Sequence, residues 1–141
     1  GWRSDPILQT ISQLSPEIRG RIKRLGFVPD DEKDALIAGA DVFLYPSLYE
    51  GFGFPLLEAN ACGTAVLTSN TSSLPELAGD NAALQVNPLD VHAISQGILR
   101  ILHDDQFRAQ LIANGRKNIN RFTWQSAAQK TLGLLLQATK T

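Results

Sequence analysis

The spacing of apolar residues changes period several times along the chain, and each change marks a new element. Asp5 and Pro6 read as a cap and first-turn proline, and Ile7, Leu8, Ile11 and Leu14 then share one face of a helix predicted over about 6–14. "RIKRLGFV" reads as a short strand ending at Gly26, after which Pro29, Asp30 and Asp31 open a second helix carrying Ala35 and Leu36. In "DVFLYP" the residues Val42, Phe43, Leu44 and Tyr45 run without a polar interruption, the pattern of a strand buried on both faces of a parallel sheet, and Pro46 ends it. "TAVLTS" and "AALQV", set off by turns at Ser69-Asn70 and Asn87-Pro88, are two more such strands, so the sheet should hold at least four.

From about residue 90 onward the pattern is helical only. Asp90 caps a helix in which Val91, Ile94, Ile98, Ile101 and Leu102 recur at helical spacing. Phe107, Leu111 and Ile112 begin another, with Gly115 as its weak point, and Thr123 caps a last helix from Trp124 through "LGLLL". Alternating helix and strand argue for an α/β layered sheet. No repeat, low-complexity tract or linker divides it, so residues 1–141 read as one layer system.

Composition narrows the partners. Of 141 residues, 43% are hydrophobic and 19% charged, a globular balance. Thirteen basic against fourteen acidic residues, scattered and summing to −1, give no electrostatic case for nucleic acid or an anionic membrane. Cys62 is the single cysteine, so no internal disulfide or cysteine-based metal cluster is available, and only His92 and His103 carry imidazole. No apolar run approaches the roughly 20 residues of a membrane span, and "GWRSDP" is not a signal peptide. The chain contains no methionine, even at position 1, and reads as a piece of something longer.

One stretch does not fit an ordinary helix or loop: "YEGFGFPLLEANACG", Tyr49 to Gly63. It lies where the carboxyl end of the "DVFLYPS" strand meets the "FPLLEANAC" helix, the place at which open parallel sheets bind ligands. Pro55 suits a first helical turn, while Gly51 and Gly53 let a ligand approach the backbone N–H groups, which with the helix dipole attract an anion, phosphate above all. Glu58, near the start of that helix, can accept hydrogen bonds from diol hydroxyls as an acidic residue grips ribose in dinucleotide folds. Glu50 precedes the glycines and falls on the other side of the phosphates. The two carboxylates would bracket an elongated ligand.

Glu50-x7-Glu58 within "EGFGFPLLEANACGTAV", preceded by "ADVFLYPS" and followed by "SNTSSLPELAGDNAALQVNPLD", resembles the C-terminal, donor-binding domain of the large retaining glycosyltransferase group with the GT-B fold. The likeness runs from "LGFVPDDEKDAL" to "RFTWQSAA", and the joint pattern is far more specific than either a glutamate pair or a G-x-G alone. It implies a Rossmann-like parallel sheet flanked by helices. It also implies that Glu58 binds the ribose hydroxyls of a nucleotide-sugar donor and that Glu50, beside the transferred sugar, is the catalytic residue, with no nucleophilic role assigned to it. The backbone of Gly51, Phe52, Gly53 and Phe54 would lie against the sugar and diphosphate, and main chain near Phe27 and Val28 against the base. The reaction implied is transfer of a sugar, a hexose on UDP, GDP or ADP, to a hydroxyl acceptor with retention of configuration; the general look leans toward mannosyl- or glucosyltransferases of surface polysaccharide assembly. No metal and no cofactor beyond the donor substrate are called for.

Relative to that family, the chain lacks the first two strand-helix units, with their diphosphate-neutralising Arg and Lys, and the N-terminal domain that holds a glycan or lipid-linked acceptor. The fragment alone is expected to be inactive and open to self-association. Its parent is expected in the cytoplasm, or peripheral to the inner membrane face through the absent domain. The rival reading is a non-catalytic nucleotide-sugar-binding or interaction domain of the same fold. A nucleotide-sugar epimerase is disfavoured by the glutamate spacing. Plainer roles go to the other residues: Cys62 as a small buried hydrophobe, Phe52 and Phe54 as core plugs before ligand contacts, Trp124 as a packing anchor, and Glu76 as a helix-start residue that could line the same cleft.

Overall fold

The structure, a computed structural model, describes residues 4–138. Its centre is a parallel sheet of three strands, β1 (Phe43–Tyr45), β2 (Val66–Ser69) and β3 (Leu84–Val86), side by side in that order. Phe43 pairs with Val66 and Tyr45 with Thr68, while Leu67 pairs with Leu84 and Ser69 with Val86. β2 is central and wholly buried. Its alternate side chains feed two cores, as the pleat requires. Val66 faces one, with Leu56, Ala59, Leu74 and Leu77; Leu67 faces the other, with Ala65, Ile101 and Leu111.

Helices cover both faces. α1 (Asp5–Ser12), α2 (Pro16–Gly20) and α3 (Asp30–Ala38) precede β1; α4 (Phe54–Cys62) and α5 (Leu74–Ala78) follow β1 and β2; α6 (Val91–His103), α7 (Asp105–Asn118), a 3₁₀ turn (Ile119–Arg121) and α8 (Trp124–Ala138) complete the chain. Two caps read from sequence hold: the Asp90 carboxylate accepts from Ala93 N–H at 2.9 Å, and the Thr123 hydroxyl from Ser126 N–H at 3.1 Å; Asp5 does not cap α1 but is its first residue, preceded by Ser4 at the N-cap. The α2 helix was not expected, although Ser15-Pro16 is a cap and first-turn pair, with the Ser15 hydroxyl accepting from Ile18 N–H.

Several expectations need correction. Residues 22–26 form no strand, leaving three strands rather than four among the described residues. A strand needs a lateral partner for its backbone, and in the doubly wound order 3-2-1-4-5-6 this segment, third in sequence, is not adjacent to the fourth. β1 is accordingly an edge strand paired on one side only. Leu44 remains 43% exposed, and the expectation of burial on both faces fails there. The apolar face of α1 is only partly covered: Leu8, Ile11 and Leu14 are half-buried, and Ile7 is exposed. Gly115 is no weak point: a Cβ there would lie 2.7 Å from Asn60 Nδ2, so the glycine lets α7 approach α4. Among the described residues, no helix is long and apolar enough to cross a membrane.

Candidate functional site

The β1–α4 loop runs from Pro46 to Gly53 and is held from behind by hydroxyls of the β2–α5 segment. Thr68 Oγ1 donates to the Tyr45 carbonyl at 3.0 Å and Ser69 Oγ to that of Ser47. Ser73 Oγ donates to the Phe52 carbonyl at 2.6 Å and to that of Glu50 at 3.1 Å. Ser72 accepts the Glu50 N–H at 3.0 Å and donates to the Glu50 carbonyl at 2.7 Å. The loop therefore has a fixed backbone and an open outer face.

Gly53 caps α4 with φ +110°, a conformation side-chain-bearing residues avoid, and a Cβ there would sit 2.8 Å from Leu74 Cδ2. Folding alone accounts for this glycine. Gly51 differs: its φ is not positive and a Cβ would meet nothing within 4 Å, so neither backbone nor packing requires it. Among the described residues, the backbone N–H groups of Gly51, Phe52, Gly53 and Phe54 have no hydrogen-bond acceptor, and they stand at the positive end of the α4 dipole.

Glu50 and Glu58, both half-buried, act on the ionisation of one group. Burial above all, then a hydrogen bond to the Glu50 carboxylate and the charges of Glu50 and Glu58, push the Tyr45 phenol up to about 12. Tyr45, at the end of β1, is thus within electrostatic reach of both carboxylates. Glu58 also accepts from Lys33 Nζ of α3 at 3.1 Å, and this hydrogen bond raises the Lys33 pKa despite opposing desolvation. Both partners are about one-third exposed, so the contact orients the carboxylate more than it stabilises the fold. Sequence reading passed over Tyr45, Lys33, Ser72 and Ser73. The hydroxyl-rich run "TSNTSS" directly after a strand was the available signal for the serines; Lys33 and Glu58 lie 25 positions apart and meet only through helix packing.

The remaining candidates fall around this centre. Phe52 and Phe54 are not core plugs: their rings pack together at 4.6 Å, and Phe54 is 63% exposed. They line a groove with Glu76, Phe122 and Trp124 rather than with Glu50, and Trp124, 91% exposed, anchors nothing. Phe27 is 93% exposed, and with Val28 it borders a shallow cleft against Ala35 and Leu36 of α3. Cys62 packs beside the first core, where burial raises its thiol pKa and the nearby Asp34 and Glu58 charges raise it further, the reverse of nucleophile activation.

Compared with known proteins, residues 11–118 match the family model described as glycosyl transferases group 1. The chain belongs to that family. Among its relatives, O-antigen chain mannosyltransferase B of Escherichia coli is 44% identical over 132 residues, which cover 94% of this chain and 34% of that protein. The MMP alpha-(1->4)-mannosyltransferase of Mycolicibacterium hassiacum is 38% identical over 148 residues, covering 95% of this chain and 36% of the relative. Among solved structures, sucrose-phosphate synthase from Thermosynechococcus elongatus superposes with a TM-score of 0.82 at 28% identity, covering 99% of this chain and 35% of that one. The chain spans about a third of the length of these group 1 proteins. Its Rossmann-like sheet with flanking helices matches the C-terminal portion of GT-B glycosyltransferases.

Proposed function

We propose that this chain is the donor-binding part of a retaining glycosyltransferase, which moves a hexose from a nucleoside-diphosphate sugar to a hydroxyl acceptor. The observation that carries the reading is the row of acceptor-free N–H groups at the start of α4, with Glu50 on the clamped loop before them and Glu58 on the helix itself, in a chain of the group 1 family. Open N–H groups at a helix N-terminus favour a diphosphate, and the unfilled space over Gly51 lets it approach.

Glu58 takes the ribose hydroxyls. A carboxylate has about four acceptor sites, and Lys33 uses one, so a diol can be held without displacing the lysine. Lys33 also offsets part of the repulsion between two carboxylates and a diphosphate. Glu50 lies beside the transferred sugar and is the catalytic residue, while main chain at Phe27 and Val28 borders the base. The acceptor is held by the rest of the parent protein. The mannosyl transfer named for the E. coli relative makes a mannose donor, and an O-antigen-like polysaccharide acceptor, the first to try.

The test is calorimetric titration of nucleoside diphosphates and nucleotide sugars into the folded full-length protein, with Glu58→Ala as control. Saturable binding of one base, weakened by the substitution, supports the reading. A folded protein that binds none of the panel returns the domain to the non-catalytic interaction role.

A further inference from the structure

Ser72 is the sole positive-φ residue other than glycine among the described residues, with φ +60°. Left-handed backbone is uncommon for serine, and glycine would adopt it without strain. The strain needs a compensating contact. From this conformation the Ser72 hydroxyl reaches both backbone groups of a single residue 22 positions away, accepting the Glu50 N–H and donating to the Glu50 carbonyl. Ser73 adds a second hydroxyl to the same carbonyl and ties in that of Phe52. Glycine at position 72 would relieve the backbone and lose the grip.

We propose that Ser72 is a positioning residue for Glu50, its hydroxyl fixing the stretch of backbone from which the catalytic carboxylate projects. The inference rests on the catalytic reading of Glu50. It adds that turnover depends on a strained serine on a neighbouring loop that touches neither the diphosphate N–H groups nor Glu58. A misplacement of about 1 Å at a reacting group is enough to lower a rate about a hundredfold, so loss of the grip should appear in kcat. Donor affinity, set by Glu58 and by four N–H groups of which only that of Gly51 shares a peptide with the clamped Glu50 carbonyl, should change far less.

The experiment uses the full-length protein with Ser72→Gly and Ser72→Thr. It measures thermal stability, donor Kd, kcat, and hydrogen exchange of the peptide containing the Glu50 amide. Ser72→Gly is expected to match or exceed wild-type stability, keep donor Kd within about twofold, lower kcat about tenfold or more, and speed exchange at Glu50. Ser72→Thr retains the hydroxyl but is β-branched in left-handed backbone. It is therefore expected to be less stable yet closer to wild type in kcat. Stability and turnover would then move in opposite directions, which a merely structural role cannot produce. Undiminished kcat in Ser72→Gly overturns the inference, as does kcat that tracks stability through both variants. Failure of the folded wild type to bind any donor is a separate result: it overturns the functional reading, and the role of Ser72 in turnover with it.

Discussion

Glu50 and Glu58 sit eight positions apart, and the different roles proposed for them go with different surroundings. Glu58 is oriented by Lys33 on a neighbouring helix, in keeping with the proposed grip on a ligand; Glu50 projects from a clamped backbone. In the full-length protein, Glu58→Ala should mainly raise the donor Kd and Glu50→Ala mainly lower kcat. Steady-state kinetics combined with calorimetry separates the two, and equal effects on both parameters at both positions would defeat the division. Tyr45 gives a further check. Its pKa is raised in the fold to about 12 from an ordinary 10, so the folded state favours the neutral phenol. That contribution is complete below about pH 10 and is lost as pH rises through about 12. The wild-type minus Tyr45→Phe difference in phenolate absorbance should accordingly titrate near the upper end of that window. A midpoint at or below pH 10 would remove the contact with Glu50.

At the level of elements, α4 was almost fully legible. Pro55 in the first turn and the run "FPLLEANAC" gave its extent, Phe54–Cys62. The segment at 22–26 was not legible, because a strand is a relation between two backbones and the local run Ile22, Lys23, Arg24 and Leu25 says nothing about its partner. The clamp at Ser72 was hidden for the same reason. Its hydroxyl acts across 22 positions, whereas the glutamate pair is visible at a spacing of eight. What holds α4 against its neighbours is also non-local. Buried Asn118 donates to Asn60 Oδ1 at 3.2 Å and to the Leu77 carbonyl at 2.8 Å, and Asn60 donates to the Ala82 carbonyl at 3.1 Å. Asn118→Ala strips donors from two buried oxygens, and each orphaned group costs about 1–3 kcal/mol. Gly53→Ala forces a side chain into left-handed backbone and against Leu74, worth about 2 kcal/mol or more. Both variants should unfold at lower denaturant concentration with unchanged slope, and a midpoint within error of wild type would remove the corresponding account.

The molecule as a whole carries more uncovered apolar surface than its buried sheet requires. On α8, Leu132, Leu134 and Leu135 are all more than half exposed, so apolar side chains emerge around the helix instead of along one stripe. Earlier in the chain Ile22, Leu25 and Phe27 are exposed, and β1 is an edge strand. Contiguous apolar patches of this kind mark surfaces that are covered in use. The chain spans about a third of its relatives, so the proposed cover is the remainder of the parent enzyme. It follows that residues 1–141 expressed alone should associate with themselves, while the full-length protein at equal concentration should not. Sedimentation velocity over a concentration series reads this directly. Replacing Leu132 and Leu135 with glutamine should return the isolated piece toward a monomer, because each removes roughly 1.5–3 kcal/mol of apolar transfer from any interface that buries it. A piece that is monomeric throughout the series would show that α8 tolerates its exposure, and the cover would have to be sought at the β1 edge alone.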